Sequence, residues 1–305
     1  MSCNSMDANV GISGYWKLTT IKPDGTKKVC GEFKNLILDA GLDALGKSRV
    51  HEYCRVGTSN LAVNSSQNSL VSQIASTNTL QGSTNGAQST APYYGWRRIT
   101  YRFNIGVAAG NLSEIGIGWS STGSTLFSRA LILDGLGNPT TITVASDEIL
   151  DATYEMRIYP PTTDVTGTIT LDGVSHTYII RACEVNNSDH WNISRQDDNW
   201  SYNTLLYVWA NFFTGPSVGI ASGRPTGDLS NSSTCIVDPY TVNREATGTI
   251  KAGVNDANNA LGIGTVTFGL SGILRNKFQL SFTPNIMKNN TKALSLQVKL
   301  TWGRV

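Results

Sequence analysis

The sequence predicts an all-β protein made of two tandem antiparallel β-sandwich modules with one or two short helices. Two observations carry this prediction. Apolar and polar residues alternate with a period of two in many segments, and the chain is rich in Ser, Thr, Asn and Gly while only 15% of its residues are charged. Turn-forming and β-branched residues favour short strands and tight turns. Amphipathic helices need more charged residues on their exposed faces than this chain supplies.

The alternation is clearest in three segments, residues 99–107, 150–158 and 294–302. Successive side chains of a strand point to opposite faces, so each segment should have one buried and one solvated face. Such strands are typical of antiparallel sheets. The Asp-Gly pairs at 24–25 and 172–173 lie between strand-like runs and predict hairpin turns.

Only two stretches have helical features. Asp39 is placed to cap a short helix that carries Leu42 and Leu45 and ends at Gly46. A second short helix is predicted to begin at Ser69. Neither is long enough to organise the fold.

An internal duplication is predicted from two similar segments. Residues 149–160 and residues 273–284 each contain an Ile-Leu pair, then an aromatic residue, two apolar residues at alternate positions and a proline. Every residue of the first segment lies the same number of positions before its counterpart in the second. The interpretation is a repeated β-module. The alternative, that alternating strands resemble one another by chance, stays open.

The duplication divides the chain into an N-terminal arm (1–12), a first β-sandwich module (13–161) and a second one (165–303). Pro160 and Pro161 stand at the predicted boundary. Proline cannot donate a hydrogen bond to a sheet, so a linker there is physically reasonable.

Charge and cysteine content argue against several functional classes. The formal net charge is +2 and no basic cluster is present, so neither nucleic acid nor an acidic membrane surface is a predicted partner. No apolar run is long enough to insert into a membrane. The five cysteines lack CxxC spacing, and the first residues lack the features of a secretory signal. We therefore expect folding in a reducing cytoplasm, with no metal and no cofactor.

The densest acidic stretch contains Asp147, Glu148, Asp151 and Glu155. A pair of carboxylates could cleave a glycoside, but a general acid needs a pKa raised by burial. Asp151 and Glu155 are predicted to lie on the solvated face of a strand. The chain has three histidines and no G-x-S-x-G motif. No catalytic residue is predicted.

Residues 186–202 form the most distinctive insertion, with aromatic and polar residues interleaved and no strand periodicity. Exposed aromatic side chains of this kind contact proteins or stack on sugars. The predicted contact residues are His190, Trp191, Trp200 and Tyr202. The alternative, that both tryptophans fold back and anchor the loop, stays open.

Several segments resemble a family of structural proteins of tailed-bacteriophage virions, described as tail, tail-fibre or neck-collar proteins. The shared segments are FKNLILDAGLDAL (33–45), VGTSN (56–60), GVAAGNLSEIGIGW (106–119, which ends in SEIGIGW), LFSRA (126–130), RIYPP (157–161) and WGR (302–304). Ser59 replaces the Gly that is more usual in the second of these. The resemblance covers about half of the chain, mostly in the first module.

The resemblance implies a structural component of the virion, in the tail or neck, that is synthesised in the host bacterial cytoplasm. Its partners would be other copies in a ring or trimer and other tail, neck or portal-proximal proteins. The family is not catalytic as a rule, so the resemblance assigns no active-site residues. A host-glycan receptor-binding protein at the tail tip, a capsid decoration protein and a polysaccharide-degrading enzyme remain alternatives.

Overall fold

The structure, a computed structural model, describes residues 6–46, 51–193, 207–221, 223–229, 234–238, 244–271 and 274–305. One helix, α1 (Asp39–Ala44), occurs in these ranges. The strands in chain order are β1 (Met6–Ile21), β2 (Lys27–Lys34), β3 (Leu36–Ile37), β4 (Tyr53–Gly57), β5 (Gln73–Thr77), β6 (Leu80–Gln88), β7 (Tyr94–Phe103), β8 (Gly110–Leu112), β9 (Glu114–Gly118), β10 (Leu126–Leu131), β11 (Ile142–Val144), β12 (Ile149–Tyr159), β13 (Val165–Leu171), β14 (Val174–Ala182), β15 (Asn192–Ile193), β16 (Tyr207–Phe213), β17 (Thr234–Val237), β18 (Glu245–Ala252), β19 (Ile263–Ser271), β20 (Leu274–Arg275), β21 (Phe278–Ile286) and β22 (Leu294–Arg304).

The chain forms two compact units, and the all-β, sandwich-like prediction is confirmed. The first unit consists of Ile12–Asn85, Trp96–Arg157 and Arg304–Val305. The second unit consists of Met1–Gly11, Gly86–Gly95 and Ile158–Gly303. The segment predicted as an N-terminal arm contains the start of β1, in which Met6, Ala8 and Val10 alternate with exposed residues and are buried. The internal duplication stays a prediction.

Two sheets form the first unit. One has the order β1-β12-β7-β6, with β2 also paired to β1, and the other has the order β3-β10-β9-β4-β5. Strands β8 and β11 add a two-stranded ribbon. The hairpin between β1 and β2 turns at the predicted Asp-Gly pair, where Gly25 has a φ of 83°. A positive φ is readily adopted by glycine, which explains the residue at this turn.

A buried polar contact joins the two sheets of the first unit. The amide of Asn35 donates hydrogen bonds to the Ser128 hydroxyl on β10, at 2.7 Å, and to the Tyr154 hydroxyl on β12, at 3.0 Å. The Tyr154 ring lies 4.6 Å from that of Trp16 on β1. Burial raises the pKa of Tyr154 to about 12, although its hydrogen bonds with Ser128 and Asn35 oppose this shift. The aromatic pair and the amide therefore stabilise the first unit's core together.

The second unit contains the five-stranded sheet β13-β14-β21-β19-β16. Strands β16 and β19 pack against β17 and β18, which belong to the order β17-β18-β22-β1. In the core, the Phe278 ring lies 5.8 Å from Phe268 and 5.5 Å from Trp191. The hairpin between β13 and β14 again turns at the predicted Asp-Gly pair, and both of these residues have positive φ.

One of the two predicted helices is present in the described residues. Helix α1 begins at Asp39, but Asp39 does not cap it: its carboxylate instead accepts hydrogen bonds from Ser65 and Arg304. The helix predicted from Ser69 is wrong, because the chain there bends and continues into β5. No helix in the described part of the chain has the length and apolar character needed to cross a membrane.

Candidate functional site

A fully buried ion pair lies in the five-stranded sheet of the first unit. Glu114 on β9 and Arg129 on β10 are both 0% exposed, and Arg129 Nε lies 2.8 Å from Glu114 Oε2. Removing both charges from water is costly unless their remaining polar atoms also find partners. The groups that form hydrogen bonds with the two charged side chains therefore show which segment the ion pair holds in place.

Those atoms belong to the loop of residues 58–72. The Glu114 carboxylate accepts hydrogen bonds from the backbone N–H groups of Val71, at 3.1 Å, and Ser72, at 2.7 Å. The Arg129 guanidinium donates to three acceptors in the same loop, the carbonyl oxygens of Leu61 and Ala62 and Oε1 of Gln67. The loop has little regular structure, so this ion pair supplies many of the hydrogen bonds that fix its path.

A second buried arginine holds the neighbouring loop of residues 119–125. Arg55 on β4 is 0% exposed, and burial lowers its pKa to about 10. Its guanidinium donates to four neutral acceptors, the carbonyl oxygens of Ser120, Thr122 and Gly123 and the hydroxyl of Thr125. A planar guanidinium with five N–H donors suits this cluster of acceptors.

Close packing against these two loops explains two glycines of the strands beneath them. A Cβ at Gly57 would lie 2.4 Å from the Ser72 carbonyl oxygen, and a Cβ at Gly118 would lie 2.0 Å from the Thr125 carbonyl oxygen. Neither distance is possible for a real side chain. The sequence segments VGTSN and SEIGIGW thus contain glycine where a loop backbone lies directly on the strand.

Two carboxylates of the acidic stretch considered for catalysis, Asp151 and Glu155, are engaged in ion pairs. Both oxygens of Glu155 on β12 contact guanidinium groups, one from Arg98 on β7 and one from Arg157. Asp151 forms a bidentate pair with Arg102, with both distances 2.8 Å. Glu155 is only 8% exposed because the guanidinium groups cover it, whereas the sequence predicted a solvated position. Neither Asp151 nor Glu155 is therefore free to act on a substrate.

The Glu155 cluster lines a shallow cleft of about 670 Å³ in the first unit. The Arg157 guanidinium lies 4.1 Å from the centre of the Tyr15 ring, and that of Arg98 lies 4.2 Å from the centre of the Trp96 ring. Stacking on a ring and pairing with one shared carboxylate together fix both arginines. The cleft wall around Glu155 thus consists of paired charged groups and aromatic rings.

Two of the four contact residues predicted from the aromatic insertion are described. Trp191 is 0% exposed, and its indole N–H donates to the Cys183 carbonyl oxygen at 2.9 Å. Its ring therefore anchors the loop, as the alternative interpretation proposed, and is not available to stack on a sugar. His190 is partly exposed and lies beside Glu184. Trp200 and Tyr202 lie outside the described residues.

His190 belongs to a small charged cluster in the second unit. Glu184 pairs with His190 Nδ1 at 2.9 Å and with Lys277 Nζ at 2.7 Å, and the Lys277 ammonium lies 5.2 Å from the centre of the Trp209 ring. Burial alone would raise the pKa of Glu184, but its close contacts with His190 and Lys277 outweigh that effect and lower the pKa to about 2. Within the described residues, no group of three or more His, Cys, Asp or Glu side chains could hold a metal ion.

The sequence interpretation missed an uncharged stretch that runs from Val56 to Trp96. It contains no Asp, Glu, Lys, Arg or His. A segment of this length with the chain's average composition would carry about six charged side chains. The stretch comprises the loop fixed by Glu114 and Arg129, together with β5 and β6. A count of charges along the sequence would have found it.

Comparison of the chain with protein-family models, with curated proteins and with solved structures gives no significant match.

We expect removal of either partner of the Glu114–Arg129 ion pair to destabilise the protein strongly. Arg129→Met should lower the free energy of unfolding by about 3–5 kcal/mol, because Glu114 then stays buried without its counter-charge. Glu114→Gln should have an effect of similar size. The double variant should lose less than the sum of the two single losses, since it leaves no unpaired charge. Chemical denaturation measures all three values.

Lys17→Met is the matched control for that series, because it removes an exposed ion pair with Glu32. Exposed pairs contribute about 0–1 kcal/mol, so this variant should unfold close to the native chain. Losses for Arg129→Met no larger than those for Lys17→Met would show that the buried pair does not hold the first unit together.

The lowered pKa of Glu184 gives a specific pH dependence. Folding stabilises the ionised form of Glu184, so this contribution is complete above its ordinary pKa of 4.5 and is lost as the pH falls towards about 2. Glu184→Gln should therefore be less stable than the native chain at pH 7, by at most about 3 kcal/mol, and the difference should shrink between pH 4.5 and pH 2. Denaturation at a series of pH values tests this, with Glu32→Gln as the exposed control. A difference that stays constant over this pH range would contradict the assignment.

Proposed function

We propose that this chain is a structural protein of a tailed-bacteriophage virion, located in the tail or neck, that acts by assembling with other copies and docking to other virion proteins. The buried ion pair between Glu114 and Arg129 carries the proposal. It joins two of the segments on which the resemblance rests, because Glu114 belongs to SEIGIGW and Arg129 belongs to LFSRA, and both bind the loop that begins within VGTSN.

The arrangement suits a docking surface better than a catalytic centre. The polar atoms of the ion pair point at the backbone of a loop, so they fix the shape of the loop rather than contact a ligand. The loop itself is uncharged. Interface cores are depleted of charged side chains because burying a charge at an interface is costly. A rigid, neutral loop is therefore suited to be covered by another protein.

The other charged groups also support a binding role over hydrolysis. The carboxylates of Asp151 and Glu155 are held by arginines, and a general acid in a glycosidase needs a proton to donate at the working pH. Glycan stacking through Trp191 has no support, since that ring is buried.

Analysis of purified particles tests the proposal. We expect quantitative mass spectrometry of virions from the phage that encodes the chain to detect it at a copy number below that of the major capsid protein. Cryo-EM should then place it in the tail or neck. The purified native chain should be oligomeric in light scattering. A chain that is absent from particles and monomeric in solution contradicts the proposal, and a copy number close to that of the capsid protein indicates a decoration protein instead.

A further inference from the structure

The cleft beside Glu155 lies on the outer face of the sheet that contains β1 and β12, and it has an excess of positive charge. Trp16 on β1 and Tyr154 on β12 are buried on the core face, so the residues next to them point outwards. Each of the strands β2, β1, β12 and β7 contributes one cationic side chain to the cleft, whereas only β2 and β12 contribute a carboxylate. Even with Lys34 of β2 engaged at the backbone oxygen of Val305, three cations face two carboxylates among the described residues. These are Lys17, Arg98 and Arg157 against Glu32 and Glu155.

Arg98 is held in place at the wall of this cleft by two contacts. Its Nε donates a hydrogen bond to Glu155, and its guanidinium lies 4.2 Å from the centre of the Trp96 ring. Glu155 also accepts a hydrogen bond from Arg157, so one carboxylate balances two guanidinium groups. The Arg98 side chain is nevertheless 49% exposed, and no acceptor for its Nη groups lies in the described part of the chain. A positioned guanidinium with N–H donors still available is suited to bind an incoming carboxylate.

The far side of the cleft offers hydrogen-bond acceptors. Glu32 on β2 pairs with Lys17 at 3.3 Å, and its side chain is 67% exposed. A carboxylate can only accept hydrogen bonds, so a ligand at this side must supply donors such as hydroxyl groups. Tyr15 on β1 lies between the two sides and adds a phenol hydroxyl, which can donate or accept. The ligand that complements the whole cleft therefore combines a negative charge with several hydroxyl groups.

We propose that this cleft binds a sugar acid, that is, a sugar ring that carries a carboxylate. The sugar carboxylate pairs with Arg98, and the sugar hydroxyl groups form hydrogen bonds with Glu32 and Tyr15. The cleft volume of about 670 Å³ lies within the roughly 300–1,000 Å³ of typical small-molecule sites. A neutral sugar would leave the positive charge unmatched, and a simple carboxylate would leave Glu32 without donors. The cleft shares no residue with the loop of residues 58–72, so this inference goes beyond the proposed function.

Isothermal titration calorimetry of the full-length chain with galacturonate, glucuronate and N-acetylneuraminate tests the proposal. We expect at least one of these sugar acids to bind with a dissociation constant of about 1 mM or tighter. Galactose, glucose and acetate are the matched probes, which lack either the charge or the ring. Each should bind at least about tenfold more weakly, because one half of the contacts is lost. No binding of any of the three sugar acids, or equally tight binding of a neutral sugar or of acetate, would overturn the inference.

Arg98→Gln should weaken binding of the sugar acid by at least about tenfold, because the charged hydrogen bonds to its carboxylate are lost. Glu155 keeps its contact with Arg157 in this variant, so the fold should be retained. Arg102→Gln is the matched control. It removes an arginine of the same strand and face that pairs with Asp151 outside the cleft, and it should change the affinity by less than about twofold.

Tyr15→Phe provides a second variant that removes only a hydroxyl group and keeps the ring that contacts Arg157. It should weaken binding of the sugar acid about threefold, as expected for the loss of one neutral hydrogen bond. A melting temperature close to that of the native chain shows that the fold is retained.

Unchanged affinity in both Arg98→Gln and Tyr15→Phe, or an equal loss of affinity in Arg102→Gln, would contradict the assignment of the site to this cleft. The titrations use the purified chain, so their result is independent of where the protein lies in a virion.

Discussion

The loop of residues 58–72 in the first unit depends on one buried ion pair for its conformation. Glu114 and Arg129 are both removed from water, and almost everything that compensates them belongs to the loop of residues 58–72. A hydrophobic pair of similar size could fill the same space at no greater cost in stability. It could not bind two N–H groups and two carbonyl groups of a loop that lacks its own secondary structure. The ion pair therefore specifies a loop conformation, and the same role falls to Arg55 in the neighbouring loop.

The charged side chains are distributed unevenly over the chain, and this distribution is consistent with their role in fixing loop conformations. Charged side chains occur beneath the loops, as Glu114, Arg129 and Arg55, and in cross-strand pairs such as Arg102 with Asp151. The surface from Val56 to Trp96 has none. A buried charge that is fully hydrogen-bonded holds its surroundings rigidly, and an uncharged polar surface can be dehydrated with little penalty. The two properties together are those expected of the contact surface proposed above, because a preorganised surface binds with less loss of conformational entropy than a mobile loop would.

Local patterns were enough to predict the strands but not the contacts that fix the loops. The alternation in β7, β12 and β22 and the two Asp-Gly turns depend on neighbouring residues, so the sequence reveals them directly. The prediction of a helix from Ser69 was wrong because the N–H groups of Val71 and Ser72 are hydrogen-bonded to the carboxylate of Glu114, more than forty positions away along the chain. An exposed position was predicted for Trp191 because its loop is polar. In the structure, its indole N–H donates a hydrogen bond to the Cys183 carbonyl and its ring packs on Phe278. The contacts of Glu114 with the segment from Ser69 and of Trp191 with Phe278 are non-local, and periodicity does not encode them.

Hydrogen–deuterium exchange, read by mass spectrometry on the assembled and the dissociated chain, tests most directly whether the uncharged surface is the contact surface. Backbone N–H groups buried at an interface exchange more slowly in the assembly. The account predicts that peptides from residues 56–96 gain protection on assembly, while those covering β13 exchange at the same rate in both states. Added protection over β13, with unchanged exchange across residues 56–96, would contradict it.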